Sequence, residues 1–217
     1  MMTSLFSSFD PSTNITQMNW MMMILTIIVI PMNFWLKKSR WQIIKNKLEK
    51  KMSLEFSNST NHKEMILLSM SVMMMILLNN IMGLFPYNFT STSHISLSMS
   101  ISIPMWMMLM IYGWMKFSKK MFIHLLPLGT PSPIMPMMIL IETTGNIIRP
   151  ISLSVRLTAN MIAGHLLMTL LGNLNWTKML WMILPMQIML TMFETAISII
   201  QAYVFSTLIT LYSSEIP

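Results

Sequence analysis

Residues 134–171 read IMPMMILIETTGNIIRPISLSVRLTANMIAGHLLMTLL. The run is apolar enough for lipid, yet Glu142, Asn146, Arg149, Arg156, Asn160 and His165 interrupt it. At 1.5 Å per residue, more than 35 residues of helix reach beyond about 50 Å, against a hydrocarbon core of about 30 Å. Such a segment is either broken or strongly tilted. Pro136 and Pro150 can kink it without ending it, because neighbouring helices re-satisfy the freed backbone groups. A second overlong run, 179–213, contains Pro185 and carries Gln187, Glu194 and Gln201 at every seventh residue, which puts them on one helix face. Glu142, Asn146, Arg149, Arg156 and Asn160 likewise form one stripe if the helix continues through Pro150. A charged side chain at the bilayer centre costs about 2.5–3.5 kcal/mol on insertion scales, so by default these groups mark a path, a partner or a site.

Around these two runs the whole chain is built for lipid. Apolar residues make up 54% of 217 positions, charged residues only 10%, and mean hydropathy is +0.61. A soluble domain carries roughly 25% charged residues to solvate its surface. The absence of cysteine excludes a disulfide framework and any thiolate metal site. No soluble domain of useful size fits between the apolar runs, so residues 1–217 read as a single polytopic membrane domain. The seventeen residues before the first run contain no Lys or Arg, unlike a secretory signal or a transit peptide, and the first span is expected to be retained. The 31 methionines sit where Leu, Ile or Val would serve and are spread through every span. That pattern points to mutational bias under a mitochondrial code that assigns extra codons to methionine.

A helix needs about 20 apolar residues to cross the core. Five spans are expected, near residues 18–36, 65–84, 95–115, 134–171 and 179–213. The fold class is an all-α membrane protein of about five transmembrane spans plus a surface amphipathic helix, with the last two helices long and strongly tilted as a hairpin. Residues 95–103, ISLSMSISI, alternate as a strand would, but an isolated strand in lipid leaves its backbone unsatisfied. Helix is therefore expected there, with serines bonding back to carbonyls one turn earlier.

Lys37, Lys38, Arg40, Lys45, Lys47, Lys50, Lys51 and Lys63 lie between spans one and two, and Lys116, Lys119 and Lys120 between three and four. Lys178 stands alone between four and five. That asymmetry puts the N-terminus outside and the C-terminus inside. Residues 37–51 also carry Trp41, Ile43, Ile44 and Leu48, the mixture of a basic amphipathic helix on the inner surface. Trp20 and Trp35 bracket the first span as interface aromatics do.

Glu and His exchange protons at accessible pH, whereas Arg does not give up its proton in proteins. Arg156 is therefore a fixed charge between titratable groups. Glu142 lies fourteen residues before it and His165 nine after, about 21 Å and 13 Å along the axis toward opposite membrane faces. A permanent positive charge interrupting a proton path is a barrier to leak. Blander readings apply elsewhere. Gln187 and Asn146 read as helix glue, and Arg149, near the inner end, as a snorkelling side chain. Ala159, Ala163 and Gly164 read as small residues for close helix approach. His62, His94 and His124 fall in or beside loops and read as solvated; no two histidines share a span, which argues against haem.

The stretch from Arg156 to His165, RLTANMIAGH, with Glu142-Thr143 and Ile148-Arg149-Pro150 before it, resembles the core of the subunit a family of F-type ATP synthases in its mitochondrial form. The similarity extends over nearly the whole chain: MMTSLFSSFDPS at the start, residues 80–87 NIMGLFPY, Tyr112-Gly113-Trp114, and Tyr212-Ser213-Ser214-Glu215, in an arthropod-like style. The resemblance implies a stator subunit of the mitochondrial inner membrane, packed against a ring of c subunits whose carboxylates carry protons. It implies contacts with other membrane and peripheral-stalk subunits, and an N-terminus toward the intermembrane space with the C-terminus toward the matrix. By the same resemblance Arg156 is the essential arginine, with Asn160 and Gln201 as polar neighbours. His165 and Glu194 correspond to the inlet half-channel and Glu142 to the outlet half-channel.

Two rival functions fit part of the pattern. A secondary transporter also has polar midplane groups and broken helices, but no internal repeat is visible. A structural subunit of a respiratory complex explains the hydrophobicity without needing Arg156 between Glu and His. No GxxxxGK[ST] phosphate loop occurs, so the chain is not expected to catalyse a reaction alone. No cofactor, metal or nucleic acid is expected.

Overall fold

Lipid offers no hydrogen bonds to a backbone, and the chain meets that constraint by turning almost wholly to helix. The computed structural model describes residues 5–13, 16–31, 36–60, 63–86, 88–126, 131–173 and 180–215. The helices are α1 (Met21–Ile28), α2 (Arg40–Ser59), α3 (Lys63–Leu84), α4 (Ile95–His124), α5 (Met135–Asn173) and α6 (Leu180–Ser214). Short 3-10 turns occupy Leu5–Phe9, Met18–Trp20 and Ser91–Ser93.

Four of these helices, α3 to α6, are long and apolar enough to cross a membrane, one fewer than the five expected spans. The difference lies at the start. Among the described residues the expected span at 18–36 contains a 3-10 turn followed by the eight-residue α1, about 12 Å of α-helix. Pro31 explains the early stop, since the residue before a proline is pushed out of the helical region. The segment nevertheless travels a long way. Phe9 lies edge-on to His165 near the C-terminal end of α5, whereas the carbonyl of Pro31 accepts from Lys45 Nζ on α2 at 3.3 Å. Between them Thr26 Oγ1 donates to Asn79 Oδ1 of α3 at 2.8 Å. Trp35, His62, Tyr87 and Lys178 lie outside the described residues.

Local chemistry sets the other boundaries. Ser39 caps α2, accepting from Gln42 N while Gln42 Oε1 accepts from Ser39 N, a reciprocal capping box. Trp41, Ile44 and Leu48 lie exposed along one face of α2, as a helix resting on lipid requires. The alternating residues 95–103 are helical, and Ser98 and Ser100 donate to Ile95 O and Leu97 O at 3.0 and 2.7 Å. α4 bends at Phe117, where φ is −129° and ψ 38°, within the Lys116–Lys120 basic stretch. α5 continues unbroken through Pro150 and α6 through Pro185.

α6 packs chiefly against α3, α4 against α5, and α5 against α6. Small residues make the inner face of α6: Ser198, Ala202, Ser206 and Thr210, at four-residue spacing, are all 2% exposed or less. On α3, Ser69, Met73, Ile76 and Asn80 form the buried stripe. Without a hydrophobic driving force inside lipid, such close backbone approach supplies the van der Waals contact that holds helices together. Ile76, Leu157, Phe205 and Ile209 fill the core around it. Ala202→Leu is expected to overpack this seam by about 1–3 kcal/mol. A lowered midpoint for thermal dissociation of the assembled complex is the readout, and an unchanged midpoint would show that the seam tolerates bulk.

Candidate functional site

α5 and α6 run antiparallel, and three links fix their register. Near one end Arg149 on α5 bonds Glu215 just past α6. In the middle Asn160 Nδ2 donates to Gln201 Oε1 at 3.0 Å. Toward the other end the Glu194 carboxyl lies against Gly164, where an added Cβ would stand 2.9 Å from its Cδ and 3.0 Å from its Oε1. The expected face of Gln187, Glu194 and Gln201 is thus turned partly inward: Glu194 and Gln201 are buried and Gln187 is half-buried.

Around Glu194 the interior opens. A cavity of about 760 Å³ is lined by Asp10, Asn19, Asn88, His165, Thr191 and Glu194 among others. His165 Nε2 and Glu194 Oε1 are both buried without a hydrogen-bond partner among the described residues. Buried polar atoms left so by the protein are characteristically served by water. Near the N-terminal segment Ser12 N donates to Asp10 Oδ1 at 3.0 Å, which holds that exposed carboxyl below its ordinary range. Glu194 also borders a second cavity, of about 140 Å³, shared with Gly164 and Asn160. The smaller cavity is otherwise apolar, with Glu194 at its border to the larger one and Asn160, the partner of Gln201, as its other polar side chain.

Arg156 lies one turn before Asn160, exposed on the outer face of α5, with Ala159 and Ala163 exposed beside it. Among the described residues no acid is within ion-pair reach of its guanidinium. All seven acids are accounted for elsewhere. Asp10 is held by Ser12, Glu49 pairs with Lys45, Glu55 accepts from Tyr203, and Glu64 lies in the first turn of α3. Glu194 is turned behind Gly164, and Glu142 and Glu215 face Arg149.

The Glu142 end differs from the sequence expectation. Arg149 does not simply snorkel: it reaches Glu142 at 4.0 Å, bonds Glu215, and lies 4.9 Å over the Tyr212 ring. A cavity of about 40 Å³ beside them also touches Asn146 and Trp106. Glu215 was not singled out as a site residue, although continuing the seven-residue spacing from Gln201 past Leu208 lands on it. His94 is likewise no solvated loop residue. Its Nε2 lies 3.0 Å from Phe9 O, and Trp20 and Phe89 pack on its ring at 5.1 and 5.3 Å, anchoring the N-terminal segment. Gly164 permits the close approach of α6 expected of a small residue, and what it admits there is the Glu194 carboxyl.

This arrangement of a lone arginine between two polar clusters on a helix hairpin accompanies a clear relationship. A family profile described as ATP synthase A chain matches residues 16–214. The chain is 52% identical over 227 residues to ATP synthase subunit a of Locusta migratoria, with 100% of both chains covered. It is 48% identical over 225 residues to that of Anopheles quadrimaculatus and 47% over 223 to that of Drosophila melanogaster, again at 100% coverage of each. The chain belongs to the ATP synthase A chain family. As a subunit a it is a component of the ATP synthase complex rather than a stand-alone enzyme, which sets aside the transporter and respiratory-anchor readings. Its four long apolar helices make it a multi-pass membrane subunit.

Gly164→Ala tests the link between the two helices. The new methyl would lie 2.9 Å from Glu194 Cδ, so the carboxyl is expected to shift by about half an ångström to regain ordinary contact. A cryo-EM structure of the variant complex measures this. An unmoved Glu194 with a displaced α5 would mean that the backbone yields before the side chain.

Proposed function

We propose that this chain is the proton-conducting stator subunit of a mitochondrial ATP synthase, with Arg156 as the barrier between two offset half-channels. The observation that carries this reading is Arg156 itself: a permanent cation on an exposed face of α5, with every acid of the chain engaged or turned elsewhere. A charge in that position calls for a counter-charge from outside the chain. Carboxylates carried on a c-subunit ring supply it, and Ala159 and Ala163 leave space for close passage of a neighbouring helix.

In this reading protons enter through the 760 Å³ cavity, where His165 and Glu194 present unpartnered buried atoms to water. They pass along the smaller cavity toward Asn160 and Gln201, which orient the region beside Arg156. A ring carboxylate neutralised there can leave the arginine and turn into lipid, because a neutral acid is far cheaper to bury than a charged one. After rotation, the proton is released near Glu142, in the cluster with Arg149 and Glu215. Arg156 stops protons from taking the direct path, so the membrane potential, about 2.3 kcal/mol per charge at 100 mV, drives rotation.

Orientation follows from the same elements. The lysines of α2, of the start of α3 and of the last part of α4 favour the matrix side for that end of the bundle. The path from Phe9 beside His165 to Pro31 beside Lys45 supports an N-terminus on the intermembrane side, with the segment near 18–36 as a fifth crossing of which α1 is only part. The C-terminus, beyond Glu215, then faces the matrix. Other membrane and peripheral-stalk subunits cover the remaining apolar faces.

Arg156→Ala in complexes reconstituted into vesicles is expected to reduce ATP-driven proton pumping by on the order of a hundredfold, as loss of one member of a desolvated charge pair does. Passive proton permeability is expected to rise while assembly stays intact. Normal coupled pumping by the alanine variant would make the arginine structural and end this mechanism.

A further inference from the structure

Away from the proton route, a cavity of about 900 Å³ lies between α1, α2 and the first part of α3. Lys38, Lys45, Lys50 and Lys63 line it, against one acid, Glu49. Lys45 pairs with Glu49 at 3.5 Å; Lys38, Lys50 and Lys63 have no acidic partner among the described residues. The opposite wall is apolar, formed by Ile66, Leu67, Met70, Met74 and Leu78 on α3. Leu67 is 76% exposed. α1 spans the gap without filling it, tied to α3 at Asn79 and to α2 through Pro31.

The dimensions and the charge together select an occupant. From Ile66 to Leu78 the wall rises about 18 Å, close to the roughly 15 Å of hydrocarbon in one leaflet. The lysines belong to α2, the segment before it and the start of α3, at headgroup level, and the methionines further down supply a surface that adapts to a flexible chain. A transmembrane helix from another subunit would need a groove about 30 Å long and would gain nothing from unpaired lysines at one end. A small free anion would use the lysines and leave the apolar wall without purpose. We propose that this cavity binds one anionic phospholipid of the matrix-side leaflet, its phosphate among Lys38, Lys50 and Lys63 and an acyl chain along α3. Such a lipid would wedge α1 and α2 against the bundle at the end of the molecule opposite the inlet cavity. The inference rests on the membrane orientation and not on the role of Arg156.

The test uses intact ATP synthase containing this chain, reconstituted in phosphatidylcholine vesicles. One sample carries a trace of phosphatidylglycerol with a photoreactive acyl chain, the other phosphatidylcholine with the same chain. The phosphatidylglycerol probe is expected to label the α3 peptide bearing Met70 and Met74 about tenfold more strongly. Lys50→Gln combined with Lys63→Gln is expected to bring labelling down to the phosphatidylcholine level in complexes that still pump protons. Leu67→Trp, which fills the groove and keeps every lysine, is expected to block both probes at that peptide. Equal labelling by the two probes in the native complex would overturn the proposal, and that comparison needs no variant. Labelling abolished by inorganic phosphate alone would assign the lysines to a free anion, and a protein helix seated in the groove by cryo-EM would assign it to a subunit; either result would also overturn it.

Discussion

A guanidinium keeps its proton at any accessible pH, and lipid has nothing with which to neutralise it. Arg156 presents that charge outward from α5, and the rest of the hairpin is organised around leaving it unpaired within the chain. A nearby acid would have been easy to supply, since α6 carries Glu194, Glu215 follows its last residue, and α5 carries Glu142. Each is drawn away. Arg149, seven residues or about 10 Å before Arg156, draws the carboxylates of Glu142 and Glu215 toward itself. Glu194 is folded behind a glycine toward an internal cavity. Two arginines on one helix thus have opposite electrostatic surroundings, one paired with acids of this chain and one open.

The small-residue seam between α3 and α6 makes this possible. Ser198, Ala202, Ser206 and Thr210 commit one face of α6 to the bundle interior, and that commitment sets the rotation of the helix about its axis. Once the rotation is set, the seven-residue repeat of Glu194 and Gln201 can only point inward and sideways toward α5. Bulk in the seam would turn the polar face as well as loosen the packing.

Much of this was legible in the residues. The bounds of α3, α5 and α6 fall within two residues of the expected runs, because an uninterrupted apolar stretch in lipid has only the helix available. The serine back-bonds at the start of α4 and the continuity of α5 through Pro150 followed from the same constraint. The misreadings share a different cause. Spacing identifies which residues share a face, but not what that face meets. Arg149 was assigned to headgroups because Glu215, 66 positions away, could not be seen as its neighbour. His94 was assigned to solvent because its partners Phe9 and Trp20 belong to a segment that sequence alone left undirected. Within the expected first span the described α-helix is only the eight residues of α1, which stops short of Pro31.

The length of α5 supplies the remaining link between structure and work. Its 39 residues extend about 58 Å, and were the whole helix held within a core of about 30 Å it would be inclined at roughly 60° to the membrane normal. Glu142 and Asn160 are eighteen residues apart, about 27 Å along the axis. At that inclination the separation would resolve into roughly 23 Å of lateral displacement and only about 14 Å of depth. In the proposed mechanism, two access routes that begin on opposite faces would then end beside different positions of a rotating partner without any bend or loop to offset them. In the proposed mechanism such a tilt would convert distance along the sequence into distance around a ring, and Arg156, between the two ends, would close the short way.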